Sequence, residues 1–265
     1  MPQADLGDRT LYYERRGRGR PLLLIQGMAG HHALWGEPLL ERLTPDFDVV
    51  TYDHRGIGES TDVPGDMSMA ELAADAAALL GQLGWDHAHV MGISMGGMVA
   101  QELVLAHPSL VRTLVLGCTY AGGPGSTLTA PGPLRIFEGM NTGSDDLAIR
   151  AAYEANLSPA FRADESHFAP FKHTSLSVRV PVPVVMRQVQ AAFAHATSAR
   201  LPGVTTPALV LHGTADEMLL YRNGEQIAGL IPNADLHTFD GVGHLFWWER
   251  PDETARLLQA HCLTG

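Results

Sequence analysis

The sequence has little positive charge: 18 Lys and Arg stand against 29 Asp and Glu, a formal net charge of −11. That deficit argues against nonspecific attraction to nucleic acid or to an anionic membrane. Cysteine is scarcer still. Cys118 and Cys262 lie far apart without CxxC spacing, so they read as reduced thiols rather than a redox pair. No apolar run approaches the ~20 residues that span a bilayer. The opening MPQADLGDRT lacks the cationic-then-apolar pattern of a secretory signal. Export is therefore not expected, and the cytoplasm is the default compartment. Thirteen histidines are present, but His31-His32 and His87-x-His89 have no companion ligands at zinc-site spacing, so no metal is expected.

What is present is the composition of a globular protein, 45% hydrophobic and 18% charged. The runs LLLIQG, FDVVTYD, HAHVMGI and VRTLVLGC are short, apolar and bounded by turn residues, as buried strands are. Between them MAELAADAAALLGQLG and MGGMVAQELVLAHP carry helical periodicity, stopped near Gly84 and Pro108. Strand and helix alternate again from TTPALVLHG through YRNGEQIAGLIP and ADLHTFDG to RPDETARLLQAHCL. Continuous apolar strands separated by helices predict a parallel sheet covered on both faces. From Cys118 to about Leu201 the pattern changes to a Gly/Pro/Thr-rich stretch and then helical, amphipathic sequence without a clear strand. A segment of that length is too long for a plain loop and predicts a cap. The expected division is a core of residues 1–118 and 203–265 with a helical cap over 119–202.

Gly92-Ile93-Ser94-Met95-Gly96 fits G-x-S-x-G, with a strand before it and a helix after it. A serine on so sharp a turn takes strained backbone angles, and its neighbours two residues away must be small for the turn to close. The hydroxyl is thereby lifted to the sheet's C-terminal edge, where the next helix points free N–H groups at developing negative charge. A hydroxyl nucleophile needs a base, and the base needs an orienting acid. VLHGTADEML places Asp216 just past a strand, and FDGVGHLFWWERP places His244 after the last one. The order Ser, Asp, His is the order this architecture requires.

LLLIQGMAG, YDHRGIGES, GISMGG, LHGTADEM and GVGHLFWWERP, in that order along nearly the whole chain, give it a resemblance to the α/β-hydrolase superfamily. Within it the chain most resembles the esterase and enol-lactonase branch, near the cofactor-free haloperoxidases and antibiotic-pathway methyl esterases. The resemblance implies a mostly parallel eight-stranded sheet with helices on both faces and a helical cap insertion. It implies Ser94 as nucleophile, His244 as general base and then acid, Asp216 as orienting carboxylate, and no cofactor. The oxyanion hole would use the backbone N–H groups of Met95 and Met28. Gln26-Gly27 departs from the usual His-Gly of that loop. The expected reaction is hydrolysis of a carboxylic ester, lactone or thioester of a small, largely apolar molecule through an acyl-enzyme. The same residues also serve C–C bond hydrolysis, decarboxylation or cyclisation in secondary metabolism, and the motif does not separate these. A non-catalytic ligand-binding protein on the same fold is a further class, against which the intact Ser94, Asp216 and His244 count. Oligomeric state stays open.

Other features have plainer readings. DHRGIGES lacks both GxGxxG and a P-loop lysine, so it reads as turn architecture with Asp53 and Arg55 pairing locally. His31 and His32 read as exposed polar residues, Trp247 and Trp248 as core. Candidates for the substrate pocket are Gln26, Trp35, Phe137, Met140, Leu245 and Phe246, with Tyr153, Phe161 and Phe168 as further apolar residues of the cap.

Overall fold

The computed structural model describes residues 2–263. Eight strands, β1 (Gln3–Asp5), β2 (Thr10–Gly17), β3 (Arg20–Ile25), β4 (Phe47–Tyr52), β5 (Ala88–Ile93), β6 (Val111–Gly117), β7 (Ala208–Gly213) and β8 (Ala234–Phe239), form one sheet in the order β1-β2-β4-β3-β5-β6-β7-β8. β1 and β2 pair antiparallel with each other and β2 with β4, while every pairing from β4 to β8 is parallel.

The pleat divides the apolar runs between two cores. Along β3, Leu23 and Ile25 enter one cluster while Leu22 and Leu24 enter the other. Leu114 and Leu116 of β6 part from Val115, and Ala208 and Val210 of β7 part from Leu209 and Leu211, in the same way. A strand that is apolar on both sides needs cover on both sides. Helices α1 (Glu37–Leu43), α10 (Phe246–Glu249) and α11 (Pro251–Leu263) cover one face. Helices α2 (Met69–Gln82), α3 (Met95–Ala106) and α9 (Arg222–Leu230) cover the other. α2 begins where the sequence signals it, since Ser68 caps the N–H of Glu71 and its hydroxyl donates to the Glu71 carboxylate.

Between β6 and β7 no strand intervenes. α4 (Pro131–Met140), α5 (Asp145–Asn156), α6 (Pro159–Arg162), α7 (Phe168–Ser175) and α8 (Val182–Ala194) fill the insertion. It has its own small core of Tyr153, Leu157 and Phe171, with Phe161, Phe168, Leu245 and Trp248 packed against it. Its entry is fixed to α9 by Asn223, whose carboxamide accepts from Thr127 N–H and donates to Thr127 O, each at 2.9 Å. Among the described residues no helix is long and apolar enough to cross a membrane.

The turn after β4 differs from the sequence expectation. Arg55 pairs not with Asp53 but with Asp75 of α2, at 2.7 and 2.8 Å, and both residues are buried. Asp53 instead accepts from the backbone N–H of His32 at 2.7 Å and faces the His32 ring. The chain turns sharply enough after Asp53 to send the two side chains to different neighbours, and α2 supplies a buried acid that local sequence does not announce.

Candidate active site

Ser94 ends β5 and precedes α3 with φ 52° and ψ −123°, a region that residues with a Cβ rarely occupy. Its N–H donates to Gly117 O at 2.9 Å and its carbonyl accepts from the Thr119 hydroxyl at 2.6 Å, so the strained turn is held from the end of β6. Two glycines are required by contact. A Cβ on Gly92 would lie 2.1 Å from Gly96 O, and one on Gly96 would lie 2.2 Å from Ile25 O. The first turn of α3 thus presses on the end of β3, and no hydrogen bond to either the Met95 or the Met28 N–H is found among the described residues.

Asp216 follows β7 and is buried. Its Oδ1 accepts from the N–H groups of Met218 and Leu219 at 2.8 and 2.9 Å, and its Oδ2 lies 2.7 Å from His244 Nδ1. Burial would raise its pKa, but His244 and His212 together outweigh this and hold the carboxyl well below the usual carboxylate range. His212, fully buried on β7, turns its Nε2 both to the same oxygen at 3.1 Å and to Leu219 O at 2.7 Å. With an ionised Asp216 against Nδ1, His244 carries its proton on Nδ1 and leaves Nε2 free to accept one.

His244 is held by a buried carboxylate as well. Glu249 accepts from the N–H of the preceding Gly243 at 3.0 Å and from the N–H and hydroxyl of Ser158 at 2.7 and 2.6 Å. Cys118 sits beneath the pair: its Sγ and ligand atoms of Asp216 and His244 all lie within 4.8 Å of one another. Burial, aided by Asp216, pushes that thiol up, against a hydrogen bond with the Ser94 backbone. Two ligands of one tetrahedral zinc ion lie more than about 3 Å apart, so the 2.7 Å Asp216–His244 contact is that of a hydrogen-bonded pair.

The loop after β3 is stiffened throughout. Gln26 Oε1 accepts from Gly27 N–H at 3.0 Å, Gln26 O faces His54 Nε2 at 2.9 Å, and Gly30 N–H donates to Gly27 O at 3.1 Å. Burial lowers the His54 pKa, so the ring is neutral and its Nε2–H donates to that carbonyl. A Cβ on Gly27 would come 3.0 Å from Ser94 Cβ, which places this loop directly against the serine. Gln26 therefore acts on the loop's own backbone.

Several pocket candidates lie elsewhere. Trp35 is fully buried and packs 5.4 Å from Trp247 in the core under the sheet. Phe246 is equally buried, stacked on Phe239 and filling the space that a Cβ on Gly117 would need; it supports the site from below. Phe137 and Met140 are 61% and 50% exposed on α4. An amphipathic pattern locates a stripe, but not whether that stripe meets the core, the site or water. Leu245 bridges the sheet core and the insertion's core. His31 is not exposed but fully enclosed, and burial, with His32 adding and Asp53 opposing, lowers its pKa to about 4. Trp247 is buried as core packing requires, while Trp248 is half-buried and joins the insertion's aromatic cluster. His212, Glu249 and His54 were not legible as site residues. The sole hint was polarity inside apolar runs, VLHG and FWWE, which also fits simple capping.

Residues 20–251 match the family model described as the alpha/beta hydrolase fold. The chain is 29% identical over 267 residues to a putative carbamate hydrolase, RutD, of Azorhizobium caulinodans, covering 99% of this chain and 98% of that one. It is similar in structure to an esterase from Rhodococcus sp. ECU1013, with a TM-score of 0.80 and 27% identity over 95% of this chain and 94% of that one. The enol-lactonase of Burkholderia xenovorans shares the fold, with a TM-score of 0.84 at 21% identity, covering 99% of this chain and all of that one.

Proposed function

Because the chain belongs to the α/β-hydrolase family, we propose that it is a serine hydrolase cleaving a carboxylic ester, lactone or thioester through an acyl-enzyme on Ser94. The observation that carries this reading is the buried Asp216–His244 pair at 2.7 Å, in the turns after β7 and β8, at the same sheet edge as a serine held at φ 52° after β5. In this reading His244 Nε2 takes the Ser94 proton as Oγ attacks the carbonyl carbon. The oxyanion forms against the N–H groups of Met28 and Met95. The proton passes from His244 to the leaving oxygen or sulfur, and water, deprotonated by the same nitrogen, releases the acid.

Residues 119–202 act as the cap over this centre, supported by contacts to all three of its loops. Gln188 accepts from Ala29 N–H at 2.9 Å, Gly132 N–H donates to Glu217 O at 2.7 Å, and Asn156 O accepts from Leu245 N–H at 3.0 Å. The charged side chains around the sheet's carboxyl edge are engaged internally: Asp53 by His32, Arg55 by Asp75, Glu249 by Ser158 and Gly243. A small, largely apolar substrate suits what remains. The carbamate hydrolase name of the Azorhizobium relative favours a second reading within the same chemistry, attack on a carbamate carbonyl. Ammonia or amine release from a carbamate, absent from an ester panel, separates the two.

Ser94→Ala tests the assignment. Turnover of short p-nitrophenyl esters is expected to fall by at least about 10³-fold, with loss of labelling by a fluorophosphonate. Wild-type turnover in that variant would overturn it.

A further inference from the structure

α8 is seated on the core by one face. Val184, Gln188, Ala191 and Ala192 are buried, at the spacing of successive turns. Three of these four are apolar and join the main core cluster. Gln188 is fully buried among them, which requires a polar partner to offset its desolvation. That partner is the Ala29 N–H, 2.9 Å from Gln188 Oε1. Ala29 is one of three residues other than glycine with positive φ among the described residues, at 57°. The left-handed conformation is disfavoured for alanine and persists only where its surroundings enforce it. Ala29 directly follows Met28, in the loop that lies against Ser94. The same helix is anchored beside this contact: Arg187 donates to Val63 O and pairs with Asp62, and Val184 fills the space over Gly56.

We propose that Gln188 is a positioning residue of the oxyanion hole. It clamps Ala29 in its strained conformation and so aims the Met28 N–H, making the hole depend on the seating of α8. This inference rests on the reading of Met28 as an oxyanion donor and of Ser94 as the nucleophile. Gln188 does not touch the reacting atoms; it acts through the backbone of Ala29.

Gln188→Met keeps the length of the side chain and removes the acceptor. The expected result is a kcat lower by about 10- to 100-fold, with KM within twofold of wild type and unfolding still cooperative. Affinity for an ester-like trifluoromethyl ketone, whose hemiketal oxygen occupies the hole, should fall by the same factor as kcat. Adding Ala29→Gly, which removes the strain the clamp opposes, should recover at least about 5-fold of the loss. A variant that only loosened packing would show no such recovery. Gln188→Ala carries the same test in a smaller side chain if the methionine variant does not fold. Wild-type kcat and ketone affinity in these variants, with the wild-type enzyme active and Ser94→Ala inactive, would overturn the clamp and leave the nucleophile standing. A wild-type protein that neither hydrolyses esters nor binds the ketone would instead bring down the underlying reading.

Discussion

His244 Nδ1 and Asp216 Oδ2 stand 2.7 Å apart, and the same carboxylate's Oδ1 is bound by two backbone N–H groups of its own turn. Orientation thus runs from the Met218 and Leu219 backbone through Asp216 to the imidazole. Asp216→Asn can keep the Oδ1 contacts while presenting an NH₂ to Nδ1, which favours the wrong tautomer. Ester turnover is expected to fall by about 10⁴-fold with little loss of fold. Steady-state kinetics beside a circular dichroism spectrum will check it, and a loss under tenfold would contradict the tautomer argument.

Glu249 offers a stability test. Its buried carboxylate satisfies three donors, Gly243 N–H, Ser158 N–H and the Ser158 hydroxyl. Glu249→Leu strands them, and urea unfolding should show a loss of about 3 kcal/mol. Turnover should fall as well, because Gly243 no longer fixes the loop that carries His244. Retained stability would mean that these donors find water or shift to other partners.

Glycine substitutions should act in opposite directions according to what surrounds them. At Gly92 a Cβ would lie 2.1 Å from a backbone oxygen, which cannot give way cheaply. Gly92→Ala is expected to cost more than about 4 kcal/mol or prevent folding. Gly81, in the last turn of α2, has nothing within 4 Å of a Cβ, and Gly81→Ala should stabilise by about 0.5–1 kcal/mol. Thermal melts of both variants decide this; a destabilised Gly81→Ala would show that the contact picture is incomplete.

Acid should weaken the fold in a defined window. Burial lowers the pKa of His31, His89 and His195 from 6.5 to about 4. Between those values the unfolded chain binds protons that the folded chain refuses, so stability contributed by these neutral rings is full above pH 6.5 and is lost as pH falls towards 4. Asp216, whose pKa is depressed, adds a loss that begins near pH 4 and continues below it. The urea midpoint should therefore drop steeply from pH 6.5 to 4, and a flat midpoint across that interval would show that the rings are not held neutral.

Much of the fold was legible because its signals are local. β3, β5, β6 and β7 are buried along most of their length, so they read as unbroken apolar runs, and the periodicity of MAELAADAAALLGQLG announces α2. Ser94, Asp216 and His244 could be nominated for the same reason, since each follows a strand end recognisable from its own neighbours. The Arg55–Asp75 pair, the buried His31 and the core position of Trp35 were not legible. Each depends on which distant element arrives opposite, and a side chain's own sequence does not encode its partner.

Sequence alone settled what is written in short-range order: which apolar runs of the central sheet are strands, where the glycines beside Ser94 must stand, and that one serine is lifted out of a tight turn. Tertiary structure alone decided which distant side chains meet. Asp216 and His244 are 28 positions apart, and Ala29 and Gln188 are 159 apart. Such contacts exist only once β7 and β8 lie side by side and α8 has docked. Backbone propensity acts over a few residues, whereas hydrogen-bond geometry at a site is fixed by packing of the whole sheet and its insertion.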